Sequence, residues 1–226
     1  MIAEGLLYDL ARTMFAVDVQ GRLTGRAPHL HLLRTGDAVI ARCHASVPEP
    51  VARRLIELAH APRGRPSQWA SDYALYLEAM ASIGQPRAVR AGPLYAFPAQ
   101  PEPGLDTVTI SAANRDLLRH GLDEWLLDVD AGLLMTAVVR DGRARSVCAS
   151  VNASKSAHCA GVKTLPEHRG QGFAVKAVAS WAHAVQTLGV APFYGTTFDN
   201  LASQGVARRL GLTLVGSEFS IECATA

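Results

Sequence analysis

The sequence has little excess of charge of either sign. Its 22 Lys+Arg against 20 Asp+Glu leave a formal net charge of +2, where a dedicated nucleic-acid binder would show a basic stripe. It lacks any apolar run long enough to span a bilayer, so no membrane partner is expected. The opening residues Met1-Ile2-Ala3-Glu4-Gly5 carry no basic stretch, and Asp9 and Arg12 interrupt the apolar run behind them. A secretory signal peptide is therefore not expected. Cysteine is scarce and scattered: Cys43, Cys148, Cys159 and Cys223 show no paired spacing. That pattern suits a reducing cytoplasm, with each thiol buried as a small hydrophobe. No internal repeat is visible. What remains is 226 residues, 49% hydrophobic and 19% charged, a globular composition with length for one or two domains.

Hydrophobic periodicity places the elements. Leu6, Leu7, Leu10, Met14 and Phe15 share a helical face. Residues 30–33 and 38–45 read as strands around the turn Thr35-Gly36-Asp37. Residues 51–60 and 69–81 read as helices, separated by Pro62, Gly64 and Pro66. Residues 88–97 read as extended. Pro98, Pro101, Pro103 and Gly104 form the most proline-rich stretch, taken as a boundary between an N-terminal α+β domain, 1–103, and a second domain, 104–226.

His29, His31 and the pair Cys43-His44 invite a metal reading, since a hairpin centred near Gly36 would set Cys43 opposite His29. No fourth ligand is apparent, so no metal is assigned there.

In the second half, 107–110 is a short strand. Ser111 is placed to cap a helix over 114–120, Gly121 ends it, and 122–127 is a second short helix. Residues 133–139 and 146–151 are strands joined by Arg140-Asp141-Gly142-Arg143, an Asp-Gly hairpin signal. A third strand runs over 157–165. Ala174, Val178, Trp181, Val185 and Leu188 then recur at helical spacing up to Gly189. Residues 190–196 form a strand, Asp199 precedes a helix over 201–210, and strands over 212–215 and 219–223 close the chain.

The junction at Thr164-Leu165-Pro166-Glu167-His168-Arg169-Gly170-Gln171-Gly172-Phe173-Ala174 is the chemically loaded stretch. Two glycines at alternate positions let the backbone approach a ligand. A helix that starts there offers unpartnered N–H groups and partial positive charge, the natural place for a phosphate. A dinucleotide fingerprint would need a glycine where Val175 stands, and the Gly-Lys-Ser/Thr of a P-loop is missing.

Arg169, Gly172 and Ala174 instead resemble the Arg-x-x-Gly-x-Gly/Ala pyrophosphate loop of the GNAT superfamily of N-acetyltransferases. The tail from Phe193 through Asn200 and Ser203 to Arg208-Arg209-Leu210-Gly211-Leu212 resembles that family's second cofactor motif. The resemblance covers roughly 104–226. It implies an α/β (α+β) fold with a mixed, mostly antiparallel sheet flanked by helices, and acetyl-CoA (coenzyme A) as cofactor. Its loop would be Arg169, Gly170, Gln171, Gly172, Phe173 and Ala174. Thr164 and Leu165 would lie on a splayed strand that meets the pantetheine arm, and Asn200 and Ser203 would face that arm from the last helix.

The implied reaction is acetyl transfer to an amine by direct attack, with an unidentified amine acceptor as partner. The family's acidic Tyr falls on Ala207, which leaves Ser203 and Tyr194 as substitutes. Its base falls on His158, or on Cys159 with a one-residue slip; Cys159, without a basic neighbour, reads as core. Glu124, Asp128 and Asp130 either attract a cationic acceptor or are simply solvated. A second reading is a CoA-binding sensor that does not turn over. A third is an interaction domain in 1–103 beside a degenerate transferase.

Overall fold

The computed structural model describes residues 4–36, 38–61, 73–99, 103–104 and 106–224. Two units divide the chain: Met1–Leu94 with Gly195–Asn200 and Leu214–Ala226, and Tyr95–Tyr194 with Leu201–Thr213.

In the first unit, α1 (Glu4–Met14) and α2 (Glu49–His60) bracket the hairpin of β1 (Leu30–Thr35) and β2 (Val39–Cys43). The helix α3 (Tyr73–Met80), β3 (Pro86–Ala96) and the last strand β9 (Thr213–Cys223) complete it, with strand order β2-β1-β9-β3. The core gathers Leu30, Leu32, Leu55, Tyr76, Met80, Phe219 and Ile221. All six residues of β1 are buried, as expected for a strand covered on both faces. Two buried arginines anchor the helices. Arg42 Nη1 donates to the Ala11 carbonyl at 3.1 Å, near the end of α1, and Arg34 Nη2 donates to Ala59 in the last turn of α2. A guanidinium satisfies carbonyls that a helix C-terminus leaves without partners and opposes its dipole.

The second unit orders its strands β8-β7-β6-β5-β4, from β4 (Thr107–Ile110), β5 (Met135–Arg140), β6 (Arg143–Ala153), β7 (Ala157–Thr164) and β8 (Ala191–Gly195). The β7–β8 pair is parallel, and the β4–β5, β5–β6 and β6–β7 pairs are antiparallel. Alternation along β5 and β6 splits the core in two. Val138 and Cys148 face the long helix α5 (Phe173–Thr187), while Met135, Ala137, Val147 and Ala149 face Leu118, Leu122 and the short helix α4 (Leu126–Asp130). Asp141 and Gly142 turn the β5–β6 hairpin at φ 51 and 70, as a type I′ turn requires. The helix α6 (Leu201–Arg209) buries Ala207 against the α5 side.

Three expectations change. Cys43 pairs with Leu30, not His29. Thr35 N–H donates to the Ala38 carbonyl at 2.8 Å, so the turn centres beyond Gly36 and the register slips by one; His29 then lies beside His44. The helix expected over 114–120 is a 3-10 turn, Arg115–Leu118. Asn114 bonds the Ser111 N–H and the Thr109 carbonyl with its side chain, local competition that short polar residues bring against a helix. The two closing strands are one, β9, running straight through Gly216. Of the helix expected over 69–81, residues 69–72 lie outside the described set, as does Asp37 of the first hairpin turn.

Candidate functional site

The site grows from the start of α5. Gly172 caps the helix in the left-handed region at φ 78, with no side-chain cap and no acidic residue in the first turn. The first helical bond runs from Lys176 N–H to the Gly172 carbonyl at 3.2 Å. The N–H groups of Phe173, Ala174 and Val175 therefore point out of the helix end without helical partners. Gly170 is also left-handed, at φ 76, and a Cβ added at either glycine would meet nothing within 4 Å. The space in front of the loop is open.

The other loop residues divide by role. Arg169 is exposed. Gln171 folds back, its amide 3.4 Å from the Glu167 carbonyl. The Phe173 side chain belongs to the core, with the Arg140 guanidinium 5.7 Å from its ring centre; only its N–H looks outward. Leu165 is buried, its N–H donates to the Arg145 carbonyl at 3.0 Å, and its carbonyl accepts from His168 at 2.9 Å.

The second component is a parting of strands. The parallel β7–β8 ladder runs from Ala157/Ala191 to Ala160/Tyr194 and stops there. Residues 161–164 continue against β6 alone. Since Leu165 N–H bonds β6, the two-residue alternation of an antiparallel ladder gives Lys163 and Gly161 to β6 as well. Val162 and Thr164 turn their N–H and C=O to the side that β8 has vacated. Val162 is the residue that motif reading misses; counting back two from Thr164 would have found it.

Around the last rung, Tyr194 is buried and its hydroxyl lies 2.7 Å from Ser203 Oγ on α6. Burial pushes the Tyr194 phenol up to about 12, so it stays protonated and available as a hydrogen-bond donor. Asn200 immediately precedes α6, exposed, with its N–H donated to the Thr197 carbonyl at 3.2 Å.

His158 sits toward the other end of β7. Its Nδ1 lies 2.9 Å from Ser150 Oγ, which also accepts the buried Trp181 indole N–H at 3.0 Å. Burial lowers its pKa, partly opposed by a bond with the Ser154 backbone. It lies six steps along the strand from Thr164, about 20 Å of extended chain, so the strand brings Thr164 to the helix start but not His158. Cys159 is buried. On the face opposite α5, Glu124 is ion-paired with Lys163, which lowers its pKa, and Asp130 with Arg115. Two of the three candidate acceptor carboxylates are thus already partnered. Among the described residues no three or more His, Cys, Asp or Glu side chains group as a metal site, and no helix is long and apolar enough to cross a membrane.

Residues 135–217 match the family model of the GNAT acetyltransferases. Among solved structures, the chain is similar to a GCN5-related N-acetyltransferase from Kribbella flavida, at TM-score 0.53 and 17% identity over 100% of this chain and 96% of that one. It is similar to a GCN5-related N-acetyltransferase-like protein from Streptococcus suis, at TM-score 0.50 and 16% identity over 97% and 94%. A putative GNAT-family acetyltransferase from Novosphingobium aromaticivorans aligns at TM-score 0.50 and 15% identity over 62% and 68%. At such identities the likeness is one of fold. No curated protein matches the chain.

Proposed function

We propose, on the premise that the C-terminal half of the chain belongs to the GNAT superfamily, that the protein transfers an acyl group, acetyl first of all, from its coenzyme A thioester to an amine. One observation carries the reading: β7 parts from β8 directly ahead of an uncapped, glycine-opened helix. A vacated strand edge suits the two amides of a pantetheine arm, which would complete the ladder. An uncapped helix start without carboxylates suits a diphosphate.

The residues take roles accordingly. The N–H groups of residues 173–175, the open loop at Gly170 and Gly172, and Arg169 would hold the diphosphate. Val162 and Thr164 would pair with the pantetheine amides, as would Asn200 and Ser203 from the start of α6. Bound acetyl-CoA would supply an activated carbonyl. A strand N–H at Val162 or Thr164 would donate to its oxygen as negative charge develops there. Ser203, held by Tyr194, would hydrogen-bond the departing sulfur. A lysine-type amine with pKa about 10.4 must shed a proton before it attacks. His158, with its pKa lowered by burial, is the candidate base on this strand, and at its distance from Thr164 it would receive the proton only along a chain of waters. Residues 1–103 would serve the acceptor side.

Thiol release from acetyl-CoA across a panel of amines tests the reading. Release with at least one amine is expected, abolished by Gly172→Val. Ala207, buried where the family's acidic Tyr is expected, favours a second reading, CoA binding without turnover. Tight CoA binding with no thiol release for any amine would select it.

A further inference from the structure

The first unit holds a cavity of about 450 Å³ formed by β3 and the segment ahead of α6. Its frame is fixed by the backbone. Thr196 and Phe198 donate their N–H groups to the Pro93 and Ala91 carbonyls at 3.3 and 3.0 Å, tying the segment to β3 like an added strand. Gly92 permits this approach, because a Cβ there would stand 1.6 Å from the Thr196 oxygen. The walls are apolar. Tyr73 is held by stacking on Phe219 at 4.0 Å, and Phe198 and Val89 remain 41% and 45% exposed.

Two charges of opposite sign complete the lining, Arg90 and Asp199. Neither has a hydrogen-bond or ion-pair partner among the described residues. A plain anion would suit Arg90 but meet Asp199, and a plain cation would meet the reverse. Both side chains are exposed to solvent at the rim, and a ligand carrying both signs would pair with both, the guanidinium taking a carboxylate in a forked bond and the carboxylate taking an ammonium. The aromatic and aliphatic walls ask for an apolar group between them, and the volume lies in the range of small-molecule pockets.

We infer that this cavity binds a free α-amino acid with an apolar side chain. The site lies within the first unit and does not rest on acyl transfer. L-phenylalanine is a suitable probe, titrated into the full chain by calorimetry at neutral pH. Saturable binding is expected. N-acetyl-L-phenylalanine, without the ammonium, and L-phenylalaninamide, without the carboxylate, should each bind about tenfold more weakly or worse. Arg90→Gln should abolish the preference for L-phenylalanine over the amide, and Asp199→Asn the preference over the N-acetyl compound. Absence of saturable binding at millimolar concentration would overturn the inference. So would equal affinity for the three probes, or binding unmoved by both substitutions. CoA affinity measured on the same preparations reports separately on the α5 site.

Discussion

At Gly172 the backbone occupies a left-handed conformation that a β-branched residue strongly resists. Gly172→Val should lower stability by about 1–2 kcal/mol. A Cβ there meets no protein atom, so the larger effect belongs to the ligand. CoA affinity should fall at least about tenfold, measured by calorimetry; equal affinity in both proteins would remove the loop from the site. Ser203 poses a different question. If its hydroxyl, held by Tyr194, assists the departing sulfur, Ser203→Ala should lower kcat more than it weakens CoA binding, with Tyr194→Phe giving a milder form of the same split. A matched loss in both parameters would make the pair a binding contact only.

His158 contributes a pH dependence at this same scale. Its folded pKa lies below the unfolded value of about 6.5, so the unfolded chain binds the proton more readily. Its contribution is intact above that value and is lost as pH falls through the lower folded pKa. His158→Gln, which can keep a bond to Ser150, should flatten the fall in thermal midpoint on acidification. An unchanged acid profile would show that other groups carry it.

At the scale of elements, β9 is the informative strand. The sequence places two strands here, over 212–215 and 219–223, with Gly216 between them. In the fold, Gly216 is extended and lies so close to β1 that an added Cβ would stand 2.2 Å from the Arg34 carbonyl oxygen. The glycine serves strand contact. Gly216→Val should part β9 from β1 and cost about 1–3 kcal/mol, read as a drop in the midpoint of thermal unfolding. A midpoint within error of the parent chain would show that the strands reseat without cost.

At the scale of the whole molecule, the last strand supplies core to the first unit. Phe219, Ile221 and Cys223 pack with Leu30, Leu55 and Tyr76. A fragment of residues 104–226 would lack β1 and β3 and leave that strand unpaired, a row of open backbone groups beside apolar side chains. It should be poorly soluble and show weak hydrogen-exchange protection over 214–223. A fragment that folds with those amides protected and keeps full transferase activity would refute this, together with any acceptor role for residues 1–103.

By itself the sequence determined the local grammar. The Asp141-Gly142 hairpin, the period of α5, the glycine turn ahead of it and the strand 107–110 are all readable, because each follows from dihedral preference or from a period of two or four residues. The opening of α5 behind two glycines was legible for the same reason: glycine spacing acts within a few residues. Tertiary structure decided what depends on pairing over long separations. It placed β9 between β1 and β3, ended the β7–β8 ladder at Ala160 so that Val162 joins Thr164 on the open edge, and sent Leu165 into the core. It also set Arg90 and Asp199 on one cavity from positions more than a hundred residues apart. No local preference encodes such partners; they are selected by which faces the rest of the chain leaves to be covered.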